Sequence, residues 1–480
     1  MANKSKKIGV ITLGCDKNRV DTEFILTKLA DAGFVFDADI LKVDAVLVNT
    51  CSFIASSRQE GFENIADLVE AKKKNKKLKI VVCGCLAEKD SEEIKQKFGD
   101  MIDAIVGVSN YENIVQIVND VLNGKKVCKI AGQDVLYFAK NRKITTPINY
   151  AYLKIADGCN NFCTFCRIPY IRGRYRSQTI EKLVEEAQDL ASFGTTELVL
   201  VAQDVTKYGT DLYGKPMLVE LIKKLSAIEQ IKWIRLLYAY PESITDELIE
   251  EIDLNDKVCK YLDIPLQHVS SKVLKKMNRK SDYEKICTLV SKLRNCKHNI
   301  AIRSTFMVGF PGETEEDFEK LCTFLQEYPL NNVGFFKFSK EKDTVANTFE
   351  ETVSEEEKER RLKAISTIQQ KVSKTLCKKF KNKTMQVVVE GVNADQTAFV
   401  GRSQYQAPDV DGVVYFYSDR ELALGDYVNI KIKNTYEYDL EGEEVWIYQI
   451  KLQWLECFWH LLWFCFFCYQ YKTEWEFLLR

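Results

Sequence analysis

Between residues 152 and 338, short apolar runs alternate with helix-periodic segments, and this alternation constrains the fold more than any other feature of the chain. Six strand candidates fall at 152–155, 197–201, 232–237, 261–264, 301–306 and 333–338, and the periodic segments between them include 180–193, 217–227, 282–294 and 315–328. A strand that returns through a helix to a parallel neighbour does so with a right-handed crossover. Six such units are two short of a closed eight-unit barrel, so the sequence predicts an open, partial (β/α)6 barrel over residues 146–380. An apolar content of 46% is enough to give it a real core.

Residues 1–145 also read as α/β, with strands at 7–13, 45–48 and 80–83 and helices at 19–32, 58–72, 90–98 and 113–123. The basic run 72–79 reads as a solvated helix end. With 68 Lys and Arg against 69 Asp and Glu, the chain is no general nucleic-acid coat. A long charged helix is predicted at 354–381. Strands at 385–392, 412–416, 427–433 and 444–448, with turns at Gly391, Gly401, Gly412 and Gly425, predict a small β-domain over 381–449. Residues 450–480 change character, and 454–469 hold 14 apolar residues of 16, broken only by Glu456 and His460. That run is shorter than the roughly 20 residues of a membrane span. An interfacial helix, a partner-binding segment and a frameshifted end all remain open for it. The N-terminus turns apolar too briefly for a secretory signal, so a cytoplasmic location is expected.

Sixteen cysteines are too many for core filling alone, and their spacing is not that of a disulfide scaffold. Cys287, Cys322 and Cys377 lie in helical patterns and read as small buried hydrophobes. Cys159, Cys163 and Cys166 differ: they form C-x3-C-x2-C on one loop directly after a strand and directly after Gly158. Three soft thiolates can hold a four-iron cube and leave one iron open. Zinc or free thiols are the alternatives. Cys15, Cys51 and Cys85 each follow an apolar strand, so all three can meet at one edge of a parallel sheet, or can simply be buried thiols. Cys83 and Cys85 form C-x-C, whose alternating directions favour only one as a ligand. Gln203 with Asp204, Gln267 with His268, and Arg303 with Ser304 lie at or after barrel strands, where ligand-facing residues collect. Gln203, Gln267 and Arg303 are candidate cofactor-pocket residues. His268 is equally readable as a structural histidine, and Gly309 and Gly312 either admit an adenosyl group closely or start the next helix.

The cysteine triplet resembles the signature loop of radical S-adenosylmethionine enzymes, and YLKIADGCNNFCTFCRIPYIRGRYRS resembles their methylthiotransferase branch. The resemblance runs over residues 7–446 and ends in a segment similar to TRAM domains. It implies two 4Fe-4S clusters, one on Cys159, Cys163 and Cys166 and a second on Cys15, Cys51 and Cys85, where Cys85 rather than Cys83 holds the family position in GCLAE. It implies S-adenosylmethionine as cosubstrate, cleaved on reduction to a deoxyadenosyl radical, with an external electron donor and a sulfur donor as partners.

The strings LGCDKNRVDTE, VAQD and YLDIPLQH resemble the ribosomal-protein branch. That branch implies an aspartate of small-subunit ribosomal protein 12 as target, free or in the assembled subunit. A transfer-RNA methylthiotransferase is the alternative; its branch carries Gly-Gln-Asn in place of Ala202-Gln203-Asp204. Asp16, where the ribosomal-protein branch often has Pro, and Asp343-Thr344-Val345-Ala346, where it has Gly-Thr-Pro-Ala, are departures. In the TRAM-like segment Arg402, Lys431 and Lys433 are offset by Asp409, Asp411, Asp419, Asp426 and Asp439, which suits contact with a protein and leaves direct RNA contact open. A plain electron-transfer protein would bind clusters yet cleave no S-adenosylmethionine.

Overall fold

The computed structural model describes residues 6–130 and 135–445, so the apolar run 454–469 and most of the strand expected at 444–448 lie outside the described residues. The chain divides into two compact units, Met1–Leu376 and Cys377–Arg480. Among the described residues, no helix is long and apolar enough to cross a membrane.

The first unit opens with an all-parallel sheet of β1 (Lys7–Thr12), β2 (Val35–Phe36), β3 (Ala45–Thr50), β4 (Lys79–Gly84), β5 (Ala104–Val106) and β6 (Val127–Lys129), in the order β2-β1-β3-β4-β5-β6. It carries α1 (Asp16–Asp31), α2 (Ala55–Lys74), α3 (Cys85–Lys89), α4 (Ser91–Phe98) and α5 (Ile114–Leu122). β3 is buried along its whole length, as a parallel strand covered on both faces must be. Strand order reverses between β1 and β3, and such a switch point leaves a crevice beyond the C-terminal strand ends. Cys15 and Cys51 lie in that crevice. The strands β2, β5 and β6, of two or three residues each, are too short to show a period in the sequence. The basic run does end α2, but Lys72 is not solvated: it is buried and binds Asp103.

The second sheet begins with β7 (Tyr150–Lys154). A short ribbon, β8 (Ala156–Asp157) against β9 (Arg176–Ser177), then encloses the central cysteine loop and α6 (Ile168–Arg172). There follow α7 (Ile180–Ser192), β10 (Glu197–Val201), α8 (Leu218–Ser226), β11 (Trp233–Leu236), α9 (Asp246–Leu254), β12 (Val258–Gln267), α10 (Ser271–Lys276), α11 (Tyr283–Arg294), β13 (Ala301–Val308), α12 (Glu315–Glu327), β14 (Asn332–Lys337) and α13 (Glu355–Cys377). The strands pair in parallel as β14-β13-β12-β11-β10-β7, the open six-unit partial barrel that the alternation predicts. Thr179, Thr245, Asp282 and Thr314 start α7, α9, α11 and α12 by accepting a backbone N–H of the first turn, which satisfies a donor the helix leaves orphaned.

The second unit is a closed barrel of β15 (Thr384–Val392), β16 (Phe399–Ser403), β17 (Val414–Tyr417), β18 (Tyr427–Thr435) and β19 (Leu440–Glu444), in the order β15-β16-β17-β19-β18. One expectation is corrected here: Gly391 and Gly401 lie inside strands rather than at turns. Gly391 sits at a register shift in β15, and a Cβ on Gly401 would lie 2.2 Å from the Val388 carbonyl oxygen, so both glycines serve the barrel's bends. Arg402 is no surface cation: it is 2% exposed and its guanidinium clasps Glu390.

Candidate active site: two cysteine trios in the first unit

The N-terminal trio forms where three strand ends meet. Cys15 caps α1 after β1, Cys51 follows β3, and Cys85 opens α3 after β4. Each thiol lies within electrostatic range of the other two. The loops are tightly packed, since a Cβ on Gly14 would stand 2.7 Å from the Cβ of Cys51. Asn18, fully buried, ties them together. Its Nδ2 donates to Leu13 O at 3.1 Å and to Thr50 O at 3.0 Å, the carbonyls just ahead of Cys15 and Cys51, and the Cys85 thiol meets its Oδ1 at 3.7 Å. Burial pushes the Cys85 thiol up to about 12 and raises Cys51 as well. Cys83 points elsewhere, into the core, with its thiol donating to Val48 O at 3.5 Å.

The central trio sits on the loop between the ribbon strands. Gly158, at φ +79°, turns the chain so that Cys159 N–H donates to Gly173 O at 3.2 Å. Backbone N–H groups also meet the sulfurs, Asn161 N to Cys159 Sγ at 3.5 Å and Ile168 N to Cys166 Sγ at 3.4 Å, while the Tyr240 hydroxyl lies 3.4 Å from Cys163 Sγ. Burial pushes Cys159 up to about 11 and Cys166 further in the same direction. Among the described residues, no three His, Cys, Asp or Glu side chains converge on one ion. A cube spreads its thiolates over separate irons, so it requires no such convergence. Cys51, Cys85, Cys159 and Cys166, whose thiols burial holds neutral by themselves, are soft donors that suit an iron–sulfur guest, whose charge offsets the burial.

Of the predicted pocket residues, Gln203 follows β10, Gln267 ends β12 and Arg303 lies on β13. Gln203 Nε2 donates to Asp157 Oδ1 at 2.9 Å and its Oε1 is buried without a hydrogen-bond partner. Gln267, at φ +70°, ends β12 and also leaves its Oε1 buried and unpartnered. Arg303 pairs with Asp263 at 3.8 Å, lower on its strand than Gln267, whose register partner is Phe306. The unmatched acceptor of Gln203, tied through Asp157 to the start of the cysteine loop, suits a polar guest. Gly309 and Gly312 are filled from within: a Cβ there would meet the side chains of Lys358 at 2.3 Å and Lys276 at 2.9 Å, so they serve packing next to α12. Sequence reasoning missed Asn18, Tyr240 and Arg172, because no spacing reports contacts made across the fold.

His268 belongs to the frame. It is fully buried, its Nδ1 accepts from Ser270 N at 2.9 Å, and burial holds it at about 4 against an ordinary 6.5, with Asp317 opposing and Arg361 assisting that shift. A folded-state value below the unfolded one means stability present above pH 6.5 and lost as pH falls toward 4, by about 3 kcal/mol in all. Urea unfolding of wild type should show this loss between pH 6.5 and 4, and His268→Gln should flatten it. An identical slope in the variant would assign the loss to other groups.

Comparisons with known proteins follow this geometry. The Radical SAM superfamily matches residues 153–325, the uncharacterized protein family UPF0004 matches 7–107, and the TRAM domain matches 383–445. The solved structure of the radical S-adenosylmethionine methyltransferase TsrM from Kitasatospora setae superposes with a TM-score of 0.52 at 14% identity, covering 69% of this chain and 73% of that one, a likeness of fold alone. The open barrel and its cysteine loop define a radical S-adenosylmethionine enzyme.

The ribosomal protein uS12 methylthiotransferase RimO of Clostridium novyi (strain NT) is 46% identical over 437 residues, which is 91% of this chain and 97% of that protein. The protein of the same name from Clostridium acetobutylicum is 44% identical over 439 residues, with the same coverage. The chain belongs to the RimO family of radical S-adenosylmethionine methylthiotransferases, enzymes that use an iron–sulfur cluster and S-adenosylmethionine.

Proposed function

We propose that this protein places a methylthio group on the β-carbon of an aspartate in ribosomal protein uS12, working in the cytoplasm on the free protein or the assembled subunit. Identity of 46% across 91% of the chain, to a relative that carries this name, is the observation behind the reading. Cys159, Cys163 and Cys166 would hold one 4Fe-4S cluster and Cys15, Cys51 and Cys85 a second, within the proposed domains 146–380 and 1–145. Domain 381–449 would meet the target protein.

When bound, the central cluster supplies the electron that splits S-adenosylmethionine and so generates the radical that removes an unactivated hydrogen. This chain's residues bind, orient and shield. Gln203 and Gln267 offer buried acceptors to the amino and hydroxyl groups of the cosubstrate, and Arg303 a cation to its carboxylate. An external electron donor and a sulfur donor complete the system.

Anaerobic reconstitution with iron and sulfide, then incubation with reductant, S-adenosylmethionine and both uS12 and an adenosine-modified transfer RNA, tests the reading by mass spectrometry. The expected product is uS12 heavier by one sulfur and one CH2, localised to a single aspartate on fragmentation. Modification of the transfer RNA with uS12 untouched would establish the other substrate class.

A further inference from the structure

A buried ionic cluster joins the two cysteine trios, and Arg172 is its centre. This residue ends α6, six positions after Cys166, yet its guanidinium is delivered to the N-terminal trio. Nη1 donates to Asp157 Oδ2 at 2.8 Å, while Nη2 donates to Asn18 Oδ1 at 2.7 Å, to Asp21 Oδ2 at 2.9 Å and to Cys85 Sγ at 3.7 Å. Lys154 bonds Asp21 and lies 3.2 Å from Asp157, so two cations face two anions, and all four residues are at most 7% exposed. Asp157 in turn holds the central loop, accepting from Gly158 N at 2.8 Å and from Gln203 at 2.9 Å.

A buried quartet of this kind is a poor device for stability, because desolvation consumes most of the Coulombic gain. Its geometry has another consequence. One guanidinium is tied to the residue that begins the central loop and to the asparagine that pins the Cys15 and Cys51 loops. Arg172 is also within electrostatic range of Cys15, Cys51 and Cys85.

We propose that Arg172 is a positioning residue that fixes the two cluster sites relative to each other and sets the reduction potential of the N-terminal one through its N–H directed at the Cys85 sulfur. This rests on the two-cluster reading above. A cation beside a ligand sulfur stabilises the reduced, more negative cluster and raises its potential. Asp21 partly cancels that cation. Removing Arg172 therefore lowers the potential, and removing the Asp21 charge raises it.

The test uses the full chain with Cys159, Cys163 and Cys166 all replaced by Ala, reconstituted with iron and sulfide so that only the N-terminal site is loaded. Dithionite titration followed by electron paramagnetic resonance and visible absorption gives the potential for this background, for added R172Q and for added D21N. R172Q should lower the reduced-to-oxidised ratio at fixed potential tenfold or more, which is about 59 mV for a one-electron couple. D21N should move it the other way. Opposite signs separate an electrostatic role from general damage, which would move both variants alike. Unmoved potentials, or shifts of the same sign, overturn the proposal. If R172Q fails to hold iron, D21N decides alone: an upward shift supports the proposal, and any other result overturns it. A background protein that takes up no iron removes the two-cluster reading, and this inference with it; uptake with unmoved potentials removes this inference alone.

Discussion

Replacing Cys159, Cys163 and Cys166 together by Ala is expected to abolish reductive cleavage of S-adenosylmethionine and to leave only the iron of the other site. The loop offers three thiols, backbone N–H groups directed at two of them, and the buried acceptor of Gln203 nearby. Nothing else among the described residues duplicates that donor set. Replacing Cys15, Cys51 and Cys85 instead should keep cleavage, read as 5′-deoxyadenosine by chromatography, and end methylthio transfer to uS12. The two triple variants must therefore lose different functions while losing similar amounts of iron. Iron content unchanged in either variant would remove that trio from the cofactor assignment.

Gly158→Ala and Gly84→Ala should be the most damaging single substitutions near the trios. Gly158 has φ +79°, and an added Cβ would lie 2.1 Å from the Arg174 carbonyl oxygen. Gly84 has φ +98°, with its added Cβ 2.4 Å from both Asn49 Oδ1 and the Thr50 carbonyl oxygen. Backbone strain of about 1–2 kcal/mol for a left-handed residue adds to overpacking of about 1–3 kcal/mol, so each variant should lose on the order of 3 kcal/mol. Because each glycine directly precedes a trio cysteine, the loss should be local, with G158A depleting central iron and G84A depleting N-terminal iron. Gly33→Ala is the control: φ is +87° there but no atom lies within 4 Å of the new Cβ, so only the strain is incurred. Equal melting temperatures for G33A and G158A would refute the steric argument.

Much of the architecture was legible because parallel strands buried on both faces write themselves as apolar runs. All six barrel strands overlap the predicted ones, and Glu197–Val201 agrees to the residue. The cysteines were legible for the same reason: a residue that directly follows such a run lies at a sheet's C-terminal edge. Short edge strands such as Val35–Phe36 carry too few residues to show a period, and β16 went unseen because Gly401 mimics a turn while serving a close backbone approach. His268 and Gly309 could each be read in two ways, and their neighbours decided. The imidazole is enclosed, and the stem of Lys358 occupies the space beside the glycine.

Residue order by itself therefore determined the partial barrel, three strands of the sheet before it, and the placing of Cys15, Cys51 and Cys85 at strand ends and of Cys159, Cys163 and Cys166 on one loop, since each depends on local pattern and on rules of connection. Only the tertiary structure decided what stands between the two trios. Arg172 lies 154 positions from Asn18 and 87 from Cys85, and the quartet with Asp21, Lys154 and Asp157 exists only once both sheets have formed. Polar side chains leave no periodic trace of their partners. A buried charge declares its role through the groups that compensate it, and in this protein those groups come from α1, β7 and β8.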